Sequence, residues 1–336
     1  MSGLREVWPF VDAHHRAGRP VVLARLVGRD GPGARPIGAV MAVAGDGTWR
    51  GSLSGGCVEG IVIDHARAVL AGAPACLIPV SPGGELMPWE PAPACAGELR
   101  VLITPAPPSA VHTAITAALD TDEALDVGTA LESPHDWRLS AAAGAFVERL
   151  RPRRRLVLVG ATDLAATIAD IAEGLDRRVV IVDPRAGHLG SGAFPASAVL
   201  VRSWPDEWLR HHPLEENDAV ITLSHDPRID DRTLRAALPG PARYVAALGS
   251  RATHRQRLAR LDGTPGLARL RGPAGLDLGG AGIGETALSI LAELVALDHG
   301  RTGQPLRAGH LPIRADPPAC PSSDESLMPR LTVSTR

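Results

Sequence analysis

Between residues 156 and 183 the hydrophobic positions change period twice. Leu156 to Val159 form an unbroken apolar run stopped by Gly160, Leu164, Ile168, Ile171 and Leu175 recur at three-and-four spacing, and Val179 to Val182 form a second run ending at Asp183. This pattern predicts strand, helix and strand, the βαβ opening of a parallel sheet. The turn after the first strand leaves backbone N–H groups at a helix N-terminus, where phosphate is favoured. As a dinucleotide signature the turn is incomplete: Gly160 holds the first position, but Thr162 and Ala165 hold the next two. Asp183 stands where an acid meets a ribose hydroxyl, and reads equally as a strand-end acid facing solvent. A Rossmann-like unit is thus signalled more strongly than NAD.

The front of the chain has other periods. Leu4, Val7, Trp8, Val11 and His14 make a helical stripe, read as core, followed by an apolar strand at Val21 to Val27. Residues 38–53 read as two strands joined at Gly45-Asp46-Gly47, running into Ser54-Gly55-Gly56-Cys57-Val58-Glu59-Gly60. Helical spacing resumes at Val58, so Cys57 is expected at a helix start behind two glycines, where N–H groups and the positive dipole end lower a thiol pKa or hold an anion. The alternative is a small apolar residue tucked at a helix start. Strands at Leu77 to Val80 and Glu98 to Thr104 flank a Pro-rich loop, residues 81–94, that ends at Cys95-Ala96-Gly97. Cys57 and Cys95 are candidates to face one another. Residues 106–150 read as connecting material with short helices. Arg151-Pro152-Arg153-Arg154-Arg155 reads as a solvated hinge.

After Asp183, further strands are expected at Ala198 to Val201, Asp218 to Leu223 and Tyr244 to Leu248. Ser224-His225-Asp226-Pro227 falls at a strand's carboxyl end, where open α/β sheets bind ligands, and Asp230 is read as the cap of the next helix. Gly249-Ser250-Arg251 at a helix start forms a candidate phosphate cradle. A glycine-rich stretch, Gly275 to Glu285, precedes a helix carrying Leu288, Leu291, Leu294 and Val295. The expected organisation is a front domain over 1–105, a linker over 106–150, a doubly wound parallel-sheet domain over 151–300 and a disordered tail over 301–336.

Composition narrows the function classes. A formal charge of −2 gives no global attraction to nucleic acid or anionic lipid, yet all 35 basic residues are Arg, suited to holding a phosphate locally. No apolar run is long enough to span a bilayer. Cys57, Cys76, Cys95 and Cys320 are widely spread, and the first residues carry no signal-peptide pattern, so a cytoplasmic, reducing setting is expected, without a disulfide framework or structural metal.

Taken in order, GSLSGGCVEG (51–60), the opening at 156, SHDPRIDDRTL (224–234), YVAALGSRATHRQRL (244–258) and GLDLGG with ETALSILAE (275–293) resemble the XdhC/CoxI family. The resemblance covers roughly residues 1–300. It implies an α/β protein with an N-terminal α+β XdhC/CoxI-type domain followed by a Rossmann-like domain. It further implies a maturation factor without turnover of its own, which binds molybdenum cofactor, a molybdopterin, guards it during sulfuration by a cysteine desulfurase, and passes it to an apo molybdenum hydroxylase of the xanthine dehydrogenase type. A homodimer is expected. The chain departs from the family pattern at Cys95-Ala96-Gly97, where Cys-Gly-Gly is common, and at Thr162.

On this reading Gly160, Gly249, Ser250 and Arg251 hold the anionic end, His225 and Asp226 hydrogen-bond the pterin, and Cys57 meets molybdenum or its exchanging sulfur. Gly55, Gly56, Glu59 and Asp183 complete the expected cofactor-binding set, and the thiol and the amides are expected to look into one hollow. Two alternatives remain open here: an NAD(P)-dependent oxidoreductase with His225 as acid or base, and a scaffold that docks a partner without a small-molecule ligand.

Overall fold

The computed structural model describes residues 3–31, 35–81, 97–133, 136–141, 143–191, 194–310 and 313. The front half begins with α1 (Gly3–Arg16), β1 (Val21–Asp30), β2 (Val40–Ala44) and β3 (Trp49–Gly51), followed by α2 (Glu59–Leu70), β4 (Cys76–Val80) and β5 (Glu98–Pro105). These strands form an antiparallel sheet in the order β3-β2-β1-β5-β4. Strand β1 lies in the middle, and its alternation divides it. Val22, Ala24 and Leu26 pack with Val62, Ala66 and Val69 of α2, while Val21 and Leu23 pack with Leu4, Val7 and Val11 of α1.

Residues 106–150 are not connecting material. They form α3 (Ser109–Thr121) and a small antiparallel sheet of β6 (Leu125–Ala130), β7 (Trp137–Arg138) and β8 (Ala145–Leu150). Ile115, Val127, Trp137 and Leu150 share one core with α1 and β1. The reason is Arg25. It lies in phase with Val21 and Leu23, is fully buried, and forms an ion pair with Glu148 at 2.9 Å, with hydrogen bonds to Thr129 and Thr104. A buried guanidinium needs such partners, and the segment supplies two of them, Thr129 and Glu148. The arginine run is likewise no solvated hinge: Arg151, Arg153, Arg154 and Arg155 pair with Asp126, Asp122, Asp298 and Asp218.

The rear half matches the expected doubly wound plan. It comprises β9 (Arg154–Val159), α4 (Asp163–Glu173), β10 (Arg177–Val182), α5 (Ala186–Ser191), β11 (Val199–Val201), α6 (Pro205–His211), β12 (Ala219–Thr222), α7 (Pro227–Ala237), β13 (Tyr244–Ala247), α8 (Arg251–Arg260), β14 (Leu270–Arg271) and α9 (Ile283–Asp298). All strand pairs are parallel, in the order β11-β10-β9-β12-β13-β14. Helices α4 and α9 cover one face, and α6 and α7 the other. The chain reverses its winding between β9 and β12, and there the carboxyl strand ends open toward a ligand edge. On α9, Leu291 and Leu294 are buried as the spacing predicts, whereas Leu288 is exposed. Of the expected tail, residues 311–312 and 314–336 lie outside the described residues.

Candidate functional site

The loop that carries Cys57 is built around Glu59. Burial alone would raise the pKa of this carboxyl, but donors from Ser52, Ser54 and Leu53 outweigh it and hold the group well below the usual carboxylate range. Oε1 accepts from Ser52 Oγ and from the amides of Leu53, Ser54 and Gly55, and Oε2 accepts from Ser54 Oγ and the amides of Gly56 and Val58. Ser54 Oγ in turn accepts from the Cys57 and Val58 amides. The sequence places Glu59 among the cofactor-binding residues; its oxygens are instead consumed in holding the loop. Gly55 and Gly56, at φ +93° and +124°, let the backbone wrap around that carboxylate.

Cys57 is exposed. It stands one residue before the cap of α2, Val58, rather than inside the first turn. The tucked apolar alternative is thereby corrected. Cys95, the candidate to face it, lies outside the described residues, as does Cys320.

At the Rossmann opening two expectations change. Asp183 is fully buried, and its oxygens accept from the Ala161 amide at 2.8 Å, the Arg185 amide and both ends of the Arg185 guanidinium. Burial would raise its pKa, but the Arg185 side chain and these amides lower it below the usual range. It neither faces solvent nor keeps an oxygen for a ribose hydroxyl. Gly160 is needed for a different reason from phosphate approach. Its φ is +107°, and a Cβ there would stand 2.7 Å from the Ser224 amide nitrogen, so the β9 and β12 loops close on each other. Thr162, in the middle glycine's place, caps α4 by accepting from the Ala165 amide. NAD(P) binding gains no support from this turn.

A hollow opens one strand further along, at β13. This open hollow, of about 370 Å³, is lined by Leu164, His225, Leu248, Gly249, Ser250, Ala281, Ile283 and Thr286. Its walls are mostly apolar, and its polar end is the entry to α8. Gly249 adopts φ +146°, where a Cβ would stand 3.3 Å from the Thr253 side chain, and Ser250 Oγ caps α8 by accepting from the Thr253 amide. His225 sits at φ +59° in the left-handed region, exposed at the hollow's rim.

Other expected residues are placed differently. Asp226, not Asp230, caps α7, and Arg228 holds its carboxyl down to about 2. Pro227 at the first helical position is the sequence signal for that cap. Asp230 is buried in the first turn, taking a 2.6 Å hydrogen bond from Ser224 Oγ. Arg251 is exposed at the start of α8 and does not line the hollow; nor does Cys57. The hollow is formed by the rear half alone, so the expectation of one shared by thiol and amides is not met there. Among the described residues no group of His, Cys, Asp and Glu side chains has metal-holding geometry, and no helix is long and apolar enough to cross a membrane.

Comparison with known proteins bears on both halves. Residues 156–294 match a family model described as the XdhC Rossmann domain, and residues 14–79 match one described as the XdhC and CoxI family. A Bacillus subtilis protein, named as a probable subunit of xanthine dehydrogenase, is 25% identical over 306 residues, spanning 82% of this chain and 92% of its own. The Escherichia coli molybdenum cofactor insertion chaperone PaoD is 27% identical over 292 residues, 84% of each chain. A solved structure from Bacillus halodurans, described as a xanthine dehydrogenase, superposes with a TM-score of 0.74 at 23% identity, over 90% of this chain and 97% of that one. That likeness shows a shared fold. With its front and rear halves each matched, in chain order, by models of the same group of proteins, the chain belongs to the XdhC and CoxI family.

Proposed function

We propose that the protein binds molybdenum cofactor as cargo and delivers it to an apo molybdenum hydroxylase of the xanthine dehydrogenase type, holding it while a cysteine desulfurase exchanges its sulfur. The observation that carries this reading is the hollow at the carboxyl edge of β13. It offers apolar walls to a fused ring and an α8 entry of amides and hydroxyl to a phosphate, both of which a molybdopterin carries. His225 at the rim can hydrogen-bond a heterocycle edge. Cys57, on a loop held in shape by Glu59, offers a soft sulfur to the metal end or to the sulfur being exchanged. The names of the relatives, an insertion chaperone and a component of xanthine dehydrogenase, support the same role. Pairing of two chains belongs to the proposal.

The test is mass spectrometry of whatever copurifies with the full chain, paired with activation of an apo hydroxylase. Molybdopterin should copurify with the wild-type protein, and Cys57→Ala should keep the pterin while losing most of the activation. Absence of pterin from both proteins refutes the reading.

A further inference from the structure

One buried cation near the hollow is under-used by the fold. Arg257, on α8, is only 2% exposed, yet its Nε and Nη1 have no hydrogen-bond partner among the described residues. Nη2 donates to the Leu248 carbonyl at 2.9 Å, and the nearest carboxylate oxygen, Asp230 Oδ2, lies 3.7 Å away, beyond hydrogen-bond reach. The other Asp230 oxygen is held by Ser224, which fixes the carboxylate at that distance. Burying a guanidinium with two of its nitrogens, three N–H groups, unmet is costly, and native interiors tolerate it mainly where another partner completes the set. Nη1 is 3.7 Å from the point where a Cβ on Gly249 would stand, and Gly249 belongs to the lining of the hollow.

We propose that Arg257 is the charged floor of an anion subsite for a phosphate monoester, completed by the Gly249 and Ser250 segment at the α8 entry. The N-terminus of α8 supplies the dipole, Ser250 Oγ the hydroxyl, and Arg257 the charge-assisted donors from beneath. Gly249 is glycine because a φ of +146° is strained for an L-residue, and a Cβ there would also crowd Thr253 at 3.3 Å. Arg251, the cation the sequence favours for this task, is an exposed side chain outside the lining and is secondary. Asp230 is the internal counter-ion that an incoming anion must share. This subsite deepens the chaperone reading and rests on it only for the ligand's identity, the cargo's terminal phosphate.

Inorganic phosphate serves as the probe, titrated into the full chain at low ionic strength and followed by thermal shift, with nitrate at matched ionic strength as control. Wild type should be stabilised by phosphate and not by nitrate. Arg257→Gln should weaken phosphate binding about tenfold or more, Arg251→Gln less than about threefold, and Asp230→Asn should tighten it several-fold. Equal phosphate shifts in wild type and Arg257→Gln overturn the subsite, as does loss in Arg251→Gln alone. If Arg257→Gln does not fold, Asp230→Asn decides: tighter binding supports the subsite, and unchanged or weaker binding overturns it. Copurified molybdopterin separates the two readings. Phosphate binding that depends on Arg257 without any pterin removes the chaperone reading and keeps the subsite; pterin with phosphate binding indifferent to Arg257 does the reverse.

Discussion

Replacing Glu59 with Gln tests whether one carboxylate shapes the Cys57 loop. Gln keeps the volume but turns one acceptor oxygen into a donor. With the amide oxygen at the Oε1 position, its nitrogen would face Ser54 Oγ and the Gly56 and Val58 amides, three groups that now donate to Oε2. Ser54 Oγ can rotate to accept, and it already accepts from the Val58 amide, so part of the loss is recovered. What remains is the loss of at least one charge-assisted bond and the weakening of the other set. At about 1.5–3 kcal/mol for a hydrogen bond to a charged group, the net cost is roughly 2–4 kcal/mol. Urea unfolding should show that loss as a lower midpoint at unchanged slope, and amides 53–58 should exchange with solvent about tenfold faster or more. The sign with pH follows from the depressed pKa. The carboxylate's contribution is fully present above the unfolded-state value of about 4.3 and is lost as pH falls through the lower folded value. Wild type should therefore lose stability on acidification below about pH 4 more steeply than Glu59→Gln. A variant within about 0.5 kcal/mol of wild type, with unchanged exchange in this loop, refutes the reasoning.

Two further substitutions probe the scaffold. Gly160→Ala forces a positive φ on an L-residue and drives a Cβ to 2.7 Å from Ser224 backbone, so thermal unfolding should register a loss of about 2–4 kcal/mol. A neutral result would mean the β9 and β12 loops do not meet as described. Arg25→Met alone strands the Glu148 carboxylate and should cost about 3–5 kcal/mol, whereas Arg25→Met with Glu148→Leu should recover most of it. If the pair adds its single effects, the two side chains do not interact in the buried layer.

The hydrophobic spacing by itself determined the βαβ opening, the further parallel strands and the α1 stripe, because a helix or strand period is a local property that burial then uses as written. The glycines and the spacing together also placed Cys57 beside the start of α2 and Gly249-Ser250 at the start of α8. Tertiary structure alone decided the rest, since each remaining feature depends on a partner distant in the chain or on which acceptor wins a shared donor. Arg25 in a run of apolar residues reads as an interruption until Glu148 is placed opposite it, and that pairing turns residues 106–150 from linker into a packed layer. Asp183 is visible in the sequence, but its capture by Arg185 and the Ala161 amide is not. Glu59 is visible as a first-turn acid, yet only the folded loop shows it spending both oxygens on its own backbone. Arg257 reads as one basic residue of an exposed helix; only packing buries its charge beneath Gly249, where desolvation makes a missing partner costly.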